Sequence, residues 1–422
     1  MNVLVIGRGG REHTIIWSLK KSAKVNQVYC APGNAGISQM ATCIPYDELQ
    51  FDALCKFAKE NAIDLVIVGP EEPLFRGAVD AFEAAGIPAF GPNKDAAIIE
   101  GSKAFSKSLM KKYDIPTAQF AAFTEYEAAL DYLHKQKAPI VIKADGLAAG
   151  KGVTVAQTME EAEEALKQMM VEKSFGEAGN EVVIEECLFG QEMSILAFVD
   201  GETVRPMVPS QDHKPIFDGD KGPNTGGMGT YSPVPHIGQD VVDEAIQKVL
   251  IPAAKAMVAE GRHFKGVLYA GLMMTESGVK TIEFNCRFGD PETQVVLPRL
   301  ESELVDVFQA VVEGTLHEVE MKWSEDAAVC VVLASEGYPG AYPKGKHIKG
   351  LDNVKDAVVF HAGTKWNEEQ MTTAGGRVLG VTAKGATLAE AQQNAYKSLE
   401  HIHFDGMQFR KDIADKALLA LK

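Results

Sequence analysis

The opening of the chain constrains the fold most. Val3 to Ile6 is a short apolar run stopped by Gly7-Arg8-Gly9-Gly10-Arg11-Glu12-His13, and Ile15, Ile16 and Leu19 follow at helical spacing. A strand, a glycine turn and a helix in that order predict an open α/β domain, with ligand-binding loops at the carboxyl ends of its strands. Val28-Tyr29-Cys30 and Leu65 to Val68 repeat the buried-strand pattern, and the second runs into Gly69-Pro70-Glu71-Glu72-Pro73-Leu74. The opening turn suits an anion at a helix N-terminus, although a plain tight turn would read the same way. It departs from a dinucleotide fingerprint. Glu12 stands where the third glycine of G-x-G-x-x-G belongs, and the second strand ends at Cys30-Ala31-Pro32-Gly33 with no acidic residue for a ribose.

A chain of 422 residues exceeds one ordinary core, and length alone suggests about three domains. A net charge of -16 with a pI near 5.2 argues against general affinity for nucleic acid or anionic membrane. No apolar run of bilayer length occurs, and the start, Met1-Asn2-Val3-Leu4-Val5-Ile6-Gly7, has neither a basic leader nor a signal-peptide core. Cys30, Cys43, Cys55, Cys187, Cys286 and Cys330 lack metal-site or disulfide spacing and read as reduced cysteines of a cytoplasmic protein.

Gly91-Pro92-Asn93 begins a connector, and Ser102 is placed as the N-cap of a helix carrying Lys103, Ser106, Lys107 and Met110. Pro139 to Lys143 is a strand feeding Ala144-Asp145-Gly146-Leu147-Ala148-Ala149-Gly150-Lys151-Gly152. Glycines with two lysines can cradle phosphate, and a flexible hairpin is the alternative. Thr158 to Glu161 is a capping box. A strand from Glu181 to Glu186 then exposes an edge at Glu185 to Leu188 able to pair an adenine ring, with Glu192 placed for ribose hydroxyls. Ser210 to Lys214 and Asp218 to Gly229 read as one long polar, glycine-rich loop of the kind that is functional or disordered. In it, Asp212, His213 and Lys214 form an acid, base and cation set, unless they are a solvated turn.

The densest chemistry lies in Thr281 to Gln294, TIEFNCRFGDPETQ. In an extended strand Glu283, Asn285 and Arg287 share one face. Two hard oxygen ligands suit Mg²⁺, and a guanidinium beside them grips an anion. A polar strand face in water would show the same spacing. Cys286 alternates to the core side. From Ala327 onward, short strands at Val329 to Leu333, Val358 to His361 and Arg377 to Thr382, and a helix capped by Thr387, predict a small α+β domain covering the cleft.

The lysine helix, Lys143 with its glycine loop, the Glu185 to Glu192 edge and the Glu283/Asn285/Arg287 row occur in the order found in ATP-grasp ligases, which the chain resembles strongly. More narrowly, Gly7 to His13, Gln211-Asp212-His213-Lys214, Gly222 to Gly229, Asn285 to Glu292 and Gly375-Gly376-Arg377-Val378 resemble the phosphoribosylamine–glycine ligase family of purine biosynthesis. The likeness covers essentially the whole chain. It implies an N-terminal parallel-sheet domain at 1–101, an ATP-grasp domain in two lobes at 102–326, with the small lobe about 120–190, and a C-terminal α+β domain at 327–422.

By that resemblance ATP contacts Lys103, Lys143, Gly150, Lys151, Gly152, Glu185, Glu186, Leu188 and Glu192. The substrates would contact Gly9, Gly10, Arg11, Glu72, Pro73 and Asp290, with catalytic roles for Arg287, Asp212 and Lys214. Glu283 and Asn285 would carry Mg²⁺ or Mn²⁺. The strand Val267 to Met274 has no carboxylate facing the metals, so a second fully protein-held metal is not expected. The implied reaction joins glycine to 5-phosphoribosylamine, cleaving ATP to ADP and phosphate through a glycyl phosphate. Partners would be small molecules only, for a monomer or at most a weak dimer. Another ATP-grasp carboxylate ligase of nucleotide metabolism is the nearest alternative. A regulatory nucleotide-binding protein would not need the whole transfer set.

Overall fold

The computed structural model of the protein describes residues 1–146, 148 and 152–422. The first domain is a five-stranded parallel sheet in the order Thr42–Cys43, Gln27–Pro32, Asn2–Gly7, Leu65–Val68, Ala89–Phe90. Strand order reverses between Asn2–Gly7 and Leu65–Val68, so the loops after them lie side by side at the switch point where such sheets bind ligands. Helix Gly10–Leu19 buries Ile15, Ile16 and Leu19, as their spacing predicts.

Glu12 occupies the space between those loops. A Cβ at Gly7 or Gly69 would collide with its side chain, and Gly7 has φ +133°, which also favours glycine. The carboxylate accepts from the Gly9 N–H at 2.8 Å and pairs with Arg11 at 2.7 Å. Where a dinucleotide fold brings backbone up to pyrophosphate, this one has a buried acid.

The segment read as a connector after Gly91 is a helix. The Asn93 side chain accepts from the Ala96 N–H at 2.9 Å to open Lys94–Gly101, and Ser102 caps Lys103–Lys112 by accepting from Phe105 at 3.0 Å. These two N-caps fix the chain direction that delivers Glu100 and Lys103 to the cleft.

Two antiparallel sheets follow. The smaller runs Phe120–Phe123, Val182–Glu186, Ile140–Ala144, Val153–Ala156, and its apolar face is covered by Tyr126–Leu133 and Met159–Met170. The larger runs Thr203–Pro206, Gln191–Asp200, Lys265–Thr275, Gly278–Asn285. Phe288, just past the last strand, packs against Phe90, Phe198 and Phe308 with ring centroids 5.9 to 6.4 Å apart. Each such aromatic pair adds about 1 kcal/mol beyond area burial. The cluster joins the first domain to the large lobe and anchors the backbone that carries Arg287.

The last sheet has the order Gln211–Asp212, Gly229–Ser232, Ala327–Ala334, Arg377–Gly385, Val358–His361. One of its five strands, Gln211–Asp212, lies within the segment expected to be one polar loop, and a second, Gly229–Ser232, starts at that segment's last residue. That segment also forms a hairpin, Pro215–Phe217 with Lys221–Asn224. Gln211–Asp212 pairs with Gly229–Ser232, and Gly229–Ser232 pairs in turn with Ala327–Ala334 far away in sequence, a partner that no local apolar pattern announces. Fully buried Arg410 pins the hairpin by donating to the Pro215 carbonyl at 3.1 Å and to Asp220 at 3.0 Å. Among the described residues no helix is long and apolar enough to cross a membrane.

Candidate active site

A cleft of about 200 Å³ opens where the two antiparallel sheets meet helix Lys103–Lys112. Lys103, Lys143, Gly152, Glu185, Glu283, Asn285 and Arg287, distant in sequence, all line it. Glu283 and Asn285 sit at the end of their strand. The pair alternates as the spacing predicts, opposite Gly271 and Tyr269, and a register slip just before it leaves Ile282 as an extra residue. Arg287 lies two residues past the strand end and still reaches the same cleft. Cys286 is buried away from it, and burial with Glu100 nearby pushes its thiol well above the usual range.

Among the described residues neither the Glu283 carboxylate nor the Asn285 amide has a hydrogen-bond partner. No group of three or more acidic, histidine or cysteine side chains gathers for a metal there either. Two hard oxygens left open toward a cleft of lysines fit a Mg²⁺-like ion that takes its remaining ligands from phosphate and water.

The lysines are held by buried carboxylate. Glu185 lies 3.1 Å from the Lys143 ammonium and 3.2 Å from that of Lys107, all three nearly inaccessible to solvent. Burial pulls Lys107 down to about 8 against the opposing field of Glu185, and burial lowers Lys103 as well. Lys103 donates to the Gly146 carbonyl at 3.0 Å. Breaking one partner out of such a buried ionic set typically costs about 3 to 5 kcal/mol, because an uncompensated charge remains.

Arg287 is gripped on two sides, by Glu100 at 3.1 Å and Glu71 at 3.2 Å. Burial opposes its charge, but Glu100 and Glu71 outweigh burial and hold the guanidinium above its ordinary value. Glu100 also accepts from the Cys286 N–H at 2.8 Å, and burial raises its own carboxyl. Sequence reasoning missed Glu100. Its only local signal was an acid beside the lysine helix.

Gly9, Gly10, Arg11 and Asp290 meet at the seam between the first domain and the turn after Arg287. The Arg11 N–H lies 3.4 Å from Asp290, and the Arg11 guanidinium donates to the Phe288 carbonyl at 3.2 Å. Arg377 of the last sheet reaches the Asp290 carbonyl at 2.9 Å. Pro73 is buried, whereas Glu72 is turned outward beside Arg76 at 3.9 Å.

Asp212 and Lys214 pair at 2.8 Å. Burial works against the Lys214 charge, yet Asp212 and its acidic neighbours hold it well above its ordinary value. Glu292, missed in the sequence, is buried beside them and accepts from Tyr269 at 2.9 Å. His213 does not join as a base. Its ring is buried against Tyr231, and burial depresses it to about 4.

The expected adenine edge needs correction. Glu185 is paired on both sides, to Phe120 and Val141, and the Glu186 N–H donates to Gln119. A free edge therefore begins only at Cys187 and Leu188. The Glu186 side chain pairs with Lys280 at 3.2 Å, and Glu192 stands exposed at the start of its strand. Gly150 and Lys151 lie outside the described residues.

Fold and cleft together define an ATP-grasp ligase. Family models for phosphoribosylglycinamide synthetase match its N domain at residues 1–100, its ATP-grasp domain at 101–293 and its C domain at 328–416. The phosphoribosylamine–glycine ligase of Halalkalibacterium halodurans is 56% identical over 99% of this chain and 97% of its own length. That of Vibrio cholerae is 52% identical over 99% of both. The crystal structure of the Thermotoga maritima phosphoribosylamine–glycine ligase matches with a TM-score of 0.86 at 35% identity, over 98% of this chain and 100% of that one. The biotin carboxylase domain of Hydrogenobacter thermophilus 2-oxoglutarate carboxylase shares the fold at 15% identity and a TM-score of 0.74, over 100% and 98%. The chain belongs to the phosphoribosylglycinamide synthetase family.

Proposed function

We propose that the chain joins glycine to 5-phosphoribosylamine, with cleavage of ATP to ADP and phosphate and a glycyl phosphate between, as a cytoplasmic step of purine biosynthesis. One observation carries this reading. A single cleft combines lysines, an arginine and two oxygen side chains that have no partner among the described residues, where no activated nucleophile stands either.

A carboxylate is a poor electrophile, so amide formation needs one of its oxygens converted to a leaving phosphate. Phosphoryl transfer chiefly requires alignment and charge neutralisation. Lys103 and Lys143 hold the phosphate chain, with Gly152 beside them, and Gly150 and Lys151 are further ATP contacts by family likeness. The backbone after Glu185 and Glu186, at Leu188, takes adenine, and Glu192 takes ribose. Glu283 and Asn285 would hold a Mg²⁺ or Mn²⁺ ion, which would supply positive charge to neutralise phosphate. Arg287, kept cationic by Glu71 and Glu100, faces the transferred phosphoryl group. Asp212 and Lys214 orient glycine. Gly9, Gly10, Arg11, Pro73 and Asp290 form the wall for phosphoribosylamine, while Glu72, turned toward Arg76, serves only as the rim. The working unit is a monomer, at most weakly dimeric.

The test follows oxygen. With ¹⁸O in both carboxylate positions of glycine, the attacking oxygen becomes the C–O–P bridge and leaves with phosphate when the amine displaces it. One labelled oxygen per turnover should appear in inorganic phosphate. Unlabelled phosphate at full amide yield would end the acyl-phosphate route. ADP release that requires bicarbonate or formate in place of glycine would end the substrate assignment.

A further inference from the structure

Lys107 is not among the phosphate contacts that the sequence pattern singles out, yet it is the most enclosed cation of the cleft. Its ammonium donates to Thr117 Oγ1 at 2.6 Å and lies 3.2 Å from Glu185. Thr117 in turn donates to the Thr281 carbonyl at 2.7 Å, and the Thr281 N–H donates to the Pro116 carbonyl at 2.8 Å. Thr281 is two residues before Glu283. The other Glu185 oxygen faces Lys143 at 3.1 Å, and the Lys143 ammonium lies 3.5 Å from the Ile282 carbonyl. Lys107 thus sits on the seam between the small sheet, through Glu185, and the large sheet, through Thr117 and Thr281.

We propose that Lys107 is a positioning residue: it fixes Glu185, and Glu185 aims the Lys143 ammonium into the cleft. The chemistry follows from the count of charges. Glu185 alone with Lys143 would form a closed pair, and the lysine would be neutralised toward a phosphate. A second ammonium on the far oxygen draws carboxylate charge away and leaves Lys143 a stronger anion receptor. Because Lys107 is held by Thr117 and Glu185 on the seam, its effect on nucleotide passes through Lys143. This rests on the ATP reading of the cleft.

The test compares adenosine with ADP by calorimetric titration on the full chain carrying Lys107→Met, Lys143→Met or both, with circular dichroism and thermal melting as the check on folding. Lys107→Met should weaken ADP about tenfold and adenosine less than about twofold, since only the phosphates depend on Lys143. In the Lys143→Met background, Lys107→Met should weaken ADP by less than about twofold further, because the residue it acts through is gone. Losses that multiply would place Lys107 on the phosphates directly and overturn the proposal. Adenosine and ADP weakening in parallel would reduce Lys107 to a prop for the cleft and also overturn it. If Lys107→Met does not fold, Thr117→Val, which removes the hydroxyl that orients Lys107, must reproduce the ADP-selective loss, and an unaltered ADP affinity there refutes the mechanism. Should the unaltered chain bind ADP no better than adenosine, the ATP reading falls first and this inference with it.

Discussion

Mild acid should loosen the seam between the first and last domains, because two buried histidines there must remain neutral. His13 on helix Gly10–Leu19 accepts the His361 N–H through Nδ1 at 2.7 Å, and the two rings lie 5.5 Å apart. Burial, with His361 beside it, depresses His13 to about 3, and burial depresses His361 to about 4. In the unfolded chain each titrates near 6.5. Above that value neither state binds the proton and stability is full. As pH falls through 6.5 toward 4 and 3, the unfolded chain takes protons that the folded one refuses, and stability is lost. At pH 5 each histidine contributes a loss of about 2 kcal/mol, or about 4 kcal/mol for the pair.

Tryptophan fluorescence reports on this seam directly. Trp17 stacks edge-on to Phe360 at 5.6 Å, and Trp366 donates to Ser38 across the same seam at 3.0 Å. Guanidinium melts at pH 7.5 and 5.0 should show the parent losing about 2 kcal/mol more than His13→Gln, whose amide accepts the same N–H but does not titrate. Parallel losses in parent and variant would refute the argument and mean that His13 is protonated in the folded state without penalty.

Three further outcomes follow from the cleft and its surroundings. Lys143→Ala should raise the KM for ATP, removing about 1.5 to 3 kcal/mol of charge-assisted contact; unchanged ATP kinetics in a folded variant would take Lys143 out of the site. Glu283→Gln should shift the Mg²⁺ activation curve to higher concentration, since the amide keeps the shape and loses the anionic ligand. An identical titration would reduce the Glu283 row to a polar strand face. Glu12→Ala should destabilise the fold by about 3 to 5 kcal/mol in denaturant melts, because it strands buried Arg11 and the Gly9 N–H; a loss below about 1 kcal/mol would show that water replaces the carboxylate.

What could be read from the sequence was whatever is written locally. Ser102, Thr158 and Thr387 each announce a helix start by a hydroxyl before an acidic or apolar turn, and each accepts the predicted N–H. Asn93 carries the same kind of signal inside a stretch whose Gly91-Pro92 start reads as a connector. Glu283, Asn285 and Arg287 were visible because chemistry recurs at short spacing, and the bulge at Ile282, just before the row, leaves that alternation intact. Glu100 against Arg287 and Lys107 against Glu185 were not visible, since those pairs exist only after distant strands and helices have packed. The strands Gln211–Asp212 and Gly229–Ser232 hid in glycine and polar residues because their partners, and not their own side chains, make them strands.

Those two strands also decide where this chain can be divided. A cut near Ala327 looks natural on style alone, but it would leave Gln211–Asp212 and Gly229–Ser232 as a two-stranded remnant. The excised piece would expose the backbone edge of Ala327–Ala334, where Gly229–Ser232 had paired. Neither fragment would be a finished object. The last domain is therefore not separable from the rest as one contiguous stretch of chain. A shuffled replacement has to arrive with an edge that accepts the host's own strands, and a fused partner is better placed at a terminus than at that apparent joint.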